Sequence, residues 1–106
     1  MYPVDFPLPE LKNIINIVRN NEIAAKKEDF AHDVWWVQGY AQSKLVGAPP
    51  ELVAQAAKAA KLEPVALLEK IVADHEAVKA QGLVDNIPWK QFLAWALQQL
   101  LDRYLS

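Results

Sequence analysis

The sequence predicts an all-α protein, a compact bundle of about five helices with an extended proline-rich arm at its N-terminal end. Three observations predict it. Apolar residues recur at three- and four-residue spacing through most of the chain, as an amphipathic helix requires. Prolines stand where such stretches open, and asparagines or glycines where they close. The 106 residues are 53% hydrophobic and 23% charged, a composition that buries a core in one domain without a covalent staple.

The arm covers residues 1–8. Tyr2, Val4, Phe6 and Leu8 alternate with Pro3, Asp5, Pro7 and Pro9. A period of two on a proline-stiffened extended chain lays one apolar edge along a surface, so the segment reads as a strap. It either closes the domain's own core or reaches across to a partner chain. The first helix, over 9–20, opens at Pro9, carries Leu11, Ile14, Ile15 and Val18 on one side, and stops at Asn20-Asn21.

The second helix spans 23–46, or begins nearer Asp29 with 26–28 in a loop, and ends before Gly47. Phe30, Val34, Val37, Ala41 and Leu45 fall within about 80° of one another, which completes a core face. Neither Trp35 nor Trp36 belongs to it. Adjacent helical residues point about 100° apart, so Trp36 lies to one side with Tyr40 and Trp35 to the other with Val46. Two placements satisfy that pattern: the helix runs through the middle of the bundle, or one flank faces another subunit.

The third helix, over 50–61, opens at Pro50 and is mostly alanine, which lets its backbone approach a neighbour closely. The fourth, over 64–81, opens at Pro64 and ends before Gly82. Its stripe is Leu67, Leu68, Ile71, Val72 and Val78, with His75 in the middle as a polar core residue, hydrogen-bonded at a helix–helix seam or working as an acid–base or ligand group. The fifth, over 88–105, follows Pro88. Trp89, Phe92, Leu93, Ala96, Leu97, Leu100 and Tyr104 make its core face, while Trp95 points the other way among Gln91, Gln98, Gln99 and Asp102. The expected core is Ile14, Val18, Phe30, Val34, Val37, Ala41, Leu68, Ile71, Phe92, Leu93, Ala96, Leu97 and Leu100.

The totals exclude several functions. Cysteine is absent, which removes disulfides, thiolate metal sites and a cysteine nucleophile. Threonine is absent as well, the serines are Ser43 and Ser106, and Gly39, Gly47 and Gly82 are isolated, so neither a hydroxyl nucleophile nor a phosphate-cradling loop is expected. With a net charge of -2 and Arg19 and Arg103 as its arginines, the chain has no electrostatic footprint for a nucleic-acid backbone. The proline-broken start does not read as a signal peptide, and the uncharged stretch between Lys90 and Asp102 is shorter than the roughly 20 residues of a membrane span, so a cytoplasmic protein without membrane attachment is expected.

Metal and enzyme chemistry fare no better. Asp29 and His32 have the spacing of a helical carboxylate–histidine pair, but the position three before His75 is Val72, and a four-helix metal site needs the pair twice. Carboxylate pairs such as Glu28-Asp29 lie near lysines on solvent-facing arcs. No metal, cofactor or catalytic residue is expected. Residues 53–72 have the outline of a helix-turn-helix, with Lys61 where the turn usually has glycine. The would-be reading helix opens Pro64, Val65, Ala66, Leu67, Leu68, Glu69, side chains that offer base edges few hydrogen bonds.

What remains is surplus tryptophan. A small interaction protein is expected, binding a second copy of itself or another protein through Trp95 first, then Trp35, Trp36 and Tyr40, with Tyr2 and Phe6 of the arm. The alternatives are a DNA-binding helix-turn-helix protein, or a carrier holding an apolar ligand between Trp36, Tyr40 and His75.

Overall fold

A computed structural model describes residues 6–43, 49–61, 63–77 and 87–105. They form five α-helices: α1 (Leu8–Arg19), α2 (Lys27–Ser43), α3 (Pro50–Ala59), α4 (Pro64–Glu76) and α5 (Trp89–Leu100), the last continuing into a π-helical turn over Leu101–Leu105. The all-α bundle read from the sequence is the architecture found. Helix α2 starts at Lys27, between the two starts considered, and residues 44–48, with Leu45, Val46 and Gly47, lie outside the described residues. So do 78–86, which include Val78 and Gly82, and residues 1–5 of the arm, which include Tyr2.

Local chemistry explains the boundaries. Pro50 and Pro64 are the first residues of α3 and α4, where a missing N–H costs nothing, and Pro88 directly precedes α5. Helix α1 ends in a Schellman motif. Asn21 takes φ 58°, its N–H donates to the Val18 carbonyl at 3.2 Å, and the Glu22 N–H donates to the Ile17 carbonyl at 2.9 Å. Helix α3 also closes on a left-handed residue, a less suitable one: Lys61 has φ 58°, and its N–H donates to the Lys58 carbonyl at 3.0 Å.

Helices α1, α2, α5 and α4 pack side by side in that cyclic order and close a four-helix ring, while α3 leans on α5. The central element is therefore α5, with three neighbours, and not α2, which is flanked by α1 and α5. Burial follows. Phe92, Leu93, Ala96, Leu97 and Leu100 of α5 are buried along one broad arc, and Gln91, on the other side of the helix, is buried as well. On α2, Phe30, Val34, Val37 and Ala41 have no exposed surface, and the outer side is open.

The core contains the expected residues except Val18, which is half-buried; Leu11, Ile15 and Ile17 carry the inner side of α1. Tyr104 also departs from expectation. In a continuous α-helix it would lie four residues above Leu100 on the core face, but the π turn adds a residue per turn and carries it outward to 37% exposure. Its ring keeps an edge contact with Phe30 at 6.2 Å.

Two ion pairs clasp α1 to α4 at the surface, Lys12 with Glu76 at 2.7 Å and Arg19 with Glu69 at 2.5 Å. The Arg19 guanidinium holds the Glu69 carboxyl below the usual carboxylate range. Between α2 and α5 the tie is a pair of amides. The Gln38 side-chain N–H donates to Gln98 Oε1 at 2.7 Å, and Gln98 in turn donates to Asp102 at 3.0 Å.

Candidate functional site

The outer side of α2 presents the largest exposed aromatic surface among the described residues. Trp35 is 59% exposed and Trp36 47%. With Gly39 set at zero on the helical wheel, Glu28, His32, Trp35, Trp36, Gln42 and Ser43 fall within about 60° to either side, and all are exposed. The two indoles straddle the middle of one solvent face, one turn before a glycine. Trp36 lies parallel to Tyr40, with ring centroids 6.4 Å apart and planes 5° from parallel.

Trp95, the first choice from sequence, is placed differently. It is half-buried, because α3 packs against the side of α5 that sequence periodicity had assigned to water. Gln91, expected on that polar side, is 4% exposed for the same reason. Trp95 forms one wall of a groove of about 410 Å³ between α3 and α5, with Pro50, Val53, Ala54 and Ala94 as its apolar lining and Gln42, Gln98 and Gln99 at its edges.

Phe6 corrects a second expectation. It is 7% exposed and packs inside its own chain, not on a surface offered to a partner. Its ring stacks on His75 with centroids 3.7 Å apart and planes 9° from parallel, and meets Trp89 at 5.1 Å and Tyr40 at 6.1 Å edge-on. Phe6 thus occupies the space between Tyr40 and His75 that an apolar ligand would need.

His75 itself is 1% exposed. Nδ1 lies 3.0 Å from the Ile71 carbonyl, which fixes Nδ1 as the protonated nitrogen of a neutral ring, and Nε2 has no partner among the described residues. Trp89 closes the other side edge-on at 4.4 Å. Burial pushes the imidazole pKa down from 6.5, against smaller upward pulls from the Ile71 carbonyl and Asp74. A ring so enclosed is positioned as a packing element; no described carboxyl or hydroxyl approaches it within hydrogen-bond distance. Among the described residues, no three metal-ligating side chains converge.

The α3–α4 hairpin turns at Lys61, but α4 is committed to the core. Leu67, Leu68, Ile71, Val72 and His75 are buried, and the outward side carries Ala66, Glu69, Lys70 and Ala73, with Glu69 already paired to Arg19. Among the described residues, no helix is long and apolar enough to cross a membrane.

No family model matches the chain, and neither a curated protein sequence nor a solved structure matches it.

Proposed function

We propose that this chain is a small protein-interaction module that associates with a second copy of itself through the outer face of α2. The observation that carries the reading is the side-by-side exposure of Trp35 and Trp36, 59% and 47%. Tryptophan is concentrated at the buried centres of interfaces because it covers a large area for two rotatable bonds. A tryptophan side chain has about 250 Å² to bury, so the two indoles leave roughly 270 Å² per copy in water. That is about a third of the 800 Å² or so each partner contributes to a stable interface, concentrated in adjacent residues.

The test is light scattering with sedimentation equilibrium at micromolar concentration. The expected result is a dimer that the Trp35→Ser, Trp36→Ser double variant converts to a monomer with unchanged helical circular dichroism. Neither side chain contributes to the core, so the variant keeps its fold. A strictly monomeric wild-type chain overturns the reading, and so does a dimer indifferent to both substitutions.

A further inference from the structure

Gly39 has no explanation among the described residues of its own chain. It lies in the second half of α2, in ordinary helical conformation, so no left-handed φ demands glycine. A Cβ placed on it would meet no described atom within 4 Å, so none of the five helices demands the space either. It is exposed, and in that setting glycine weakens a helix relative to alanine by leaving the unfolded backbone freer. The position is also particular: Gly39 is four residues after Trp35 and three after Trp36, so it forms a bare notch beside two protruding indoles on the same face.

We infer that Gly39 is the point of closest approach in an antiparallel α2–α2 packing of two copies, the notch that receives an indole of the second copy. This rests on the self-association proposed above and adds its geometry. A two-fold axis across α2 midway between Trp36 and Gly39 sets each protruding ring against the other copy's notch, and symmetry makes the contact twice. A parallel arrangement would set ring on ring and notch on notch, filling neither. A bare glycine at the crossing also lets the helix axes approach to the short end of the usual range of about 8–10 Å.

A second copy is the occupant that this face fits. From Ala31 to Ser43, α2 has no lysine or arginine, and its one carboxylate, Asp33, is turned aside to accept a hydrogen bond from Asn13 at 2.6 Å. A face meeting its own image sets like on like, so a strip nearly free of charge is the condition for doing so without repulsion. A strongly acidic partner would find only His32 there, and a strongly basic one only Glu28 at the start of the face. The exposed indole surface of two copies comes to roughly 540 Å², close to half of the 1,200 Å² at the low end of specific interfaces, before His32, Tyr40, Gln42 and Ser43 add their share.

The experiment compares wild type, Gly39→Ala, Gly39→Leu and Trp36→Ala by sedimentation equilibrium, with urea unfolding of each at a concentration where it is monomeric. Gly39→Ala is expected to raise the unfolding midpoint of the monomer and yet weaken the dimer at least tenfold. Gly39→Leu is expected to abolish the dimer while the monomer stays folded. If Trp36→Ala dissociates the dimer but both Gly39 variants assemble like wild type, the notch is refuted and self-association through the indoles stands. If wild type is a monomer, both fall.

Discussion

Phe6→Ala measures how much of the fold the segment ahead of α1 holds in place. The phenylalanine is 7% exposed, lies face to face on His75 at 3.7 Å, and has Trp89 and Tyr40 edge-on at 5.1 and 6.1 Å. Removing the ring returns about 150 Å² of apolar contact to water. At about 25 cal/mol per Å² that is near 4 kcal/mol, in line with the roughly 3–5 kcal/mol seen when a buried phenylalanine is cut to alanine. A domain stable by about 5–15 kcal/mol would lose a large share of its margin. A second effect follows from the same contact. With Phe6 gone, water reaches the imidazole, the burial that depresses its pKa weakens, and the value climbs back toward 6.5. Urea unfolding followed by circular dichroism reads the first effect, and nitrogen-detected NMR titration of His75 reads the second. A loss below about 1 kcal/mol, together with an unmoved His75 titration, would refute the packing of Phe6 against His75.

Two further outcomes follow from single residues. Lys61→Gly relieves a left-handed backbone that costs an L-residue about 1–2 kcal/mol, less about 0.5–1 kcal/mol for the freer unfolded glycine, so the variant should gain up to about 1.5 kcal/mol in denaturant unfolding. Asn21→Gly, at the same φ of 58°, should change little, because asparagine tolerates that region; equal gains at both sites would contradict the strain argument. Stability should also fall with acidification. Because burial lowers the His75 pKa below 6.5, the unfolded chain takes up that proton first as pH drops, and stability is lost from about pH 6.5 downward until the folded-state pKa is passed. Urea midpoints at pH 7.5 and 5.5 should differ more for wild type than for His75→Gln, and equal slopes would remove His75 as the source.

Much of the fold is legible in the sequence because its signals are local. Pro50 and Pro64 mark helix starts through their own missing N–H, Asn20-Asn21 marks a stop, and the stripe of Phe30, Val34, Val37 and Ala41 names the inner face of α2 from spacing alone. What periodicity cannot supply is the neighbour. Trp95 and Gln91 share the side of α5 that looks polar on a wheel, and only the arrival of α3 from a distant part of the chain covers them. The same limit made α2 a candidate for the centre of the bundle, a place that α5 takes. Tyr104 is misplaced for a different reason, since a one-residue widening of the last turn leaves no mark in the pattern of apolar residues. For the candidate site, the surplus of Trp35 and Trp36 over the α2 core stripe was readable. The significance of Gly39 was not, because it depends on the described helices leaving the space over it free.

The asymmetry between the ring and α3 divides the molecule's stability into unequal parts. Detaching a ring helix breaks at least two interhelical seams, and three for α5, whereas α3 chiefly has its seam with α5 to lose. We expect a unit held so lightly to open on its own below the cost of global unfolding, and faster amide hydrogen exchange in α3 than in the ring helices would show it. Each such excursion strips the cover from Trp95 and Gln91 while the remaining helices stay assembled. Susceptibility to proteases and to clumping at high concentration would then depend less on the global free energy of the domain than on how often one ten-residue shutter lifts.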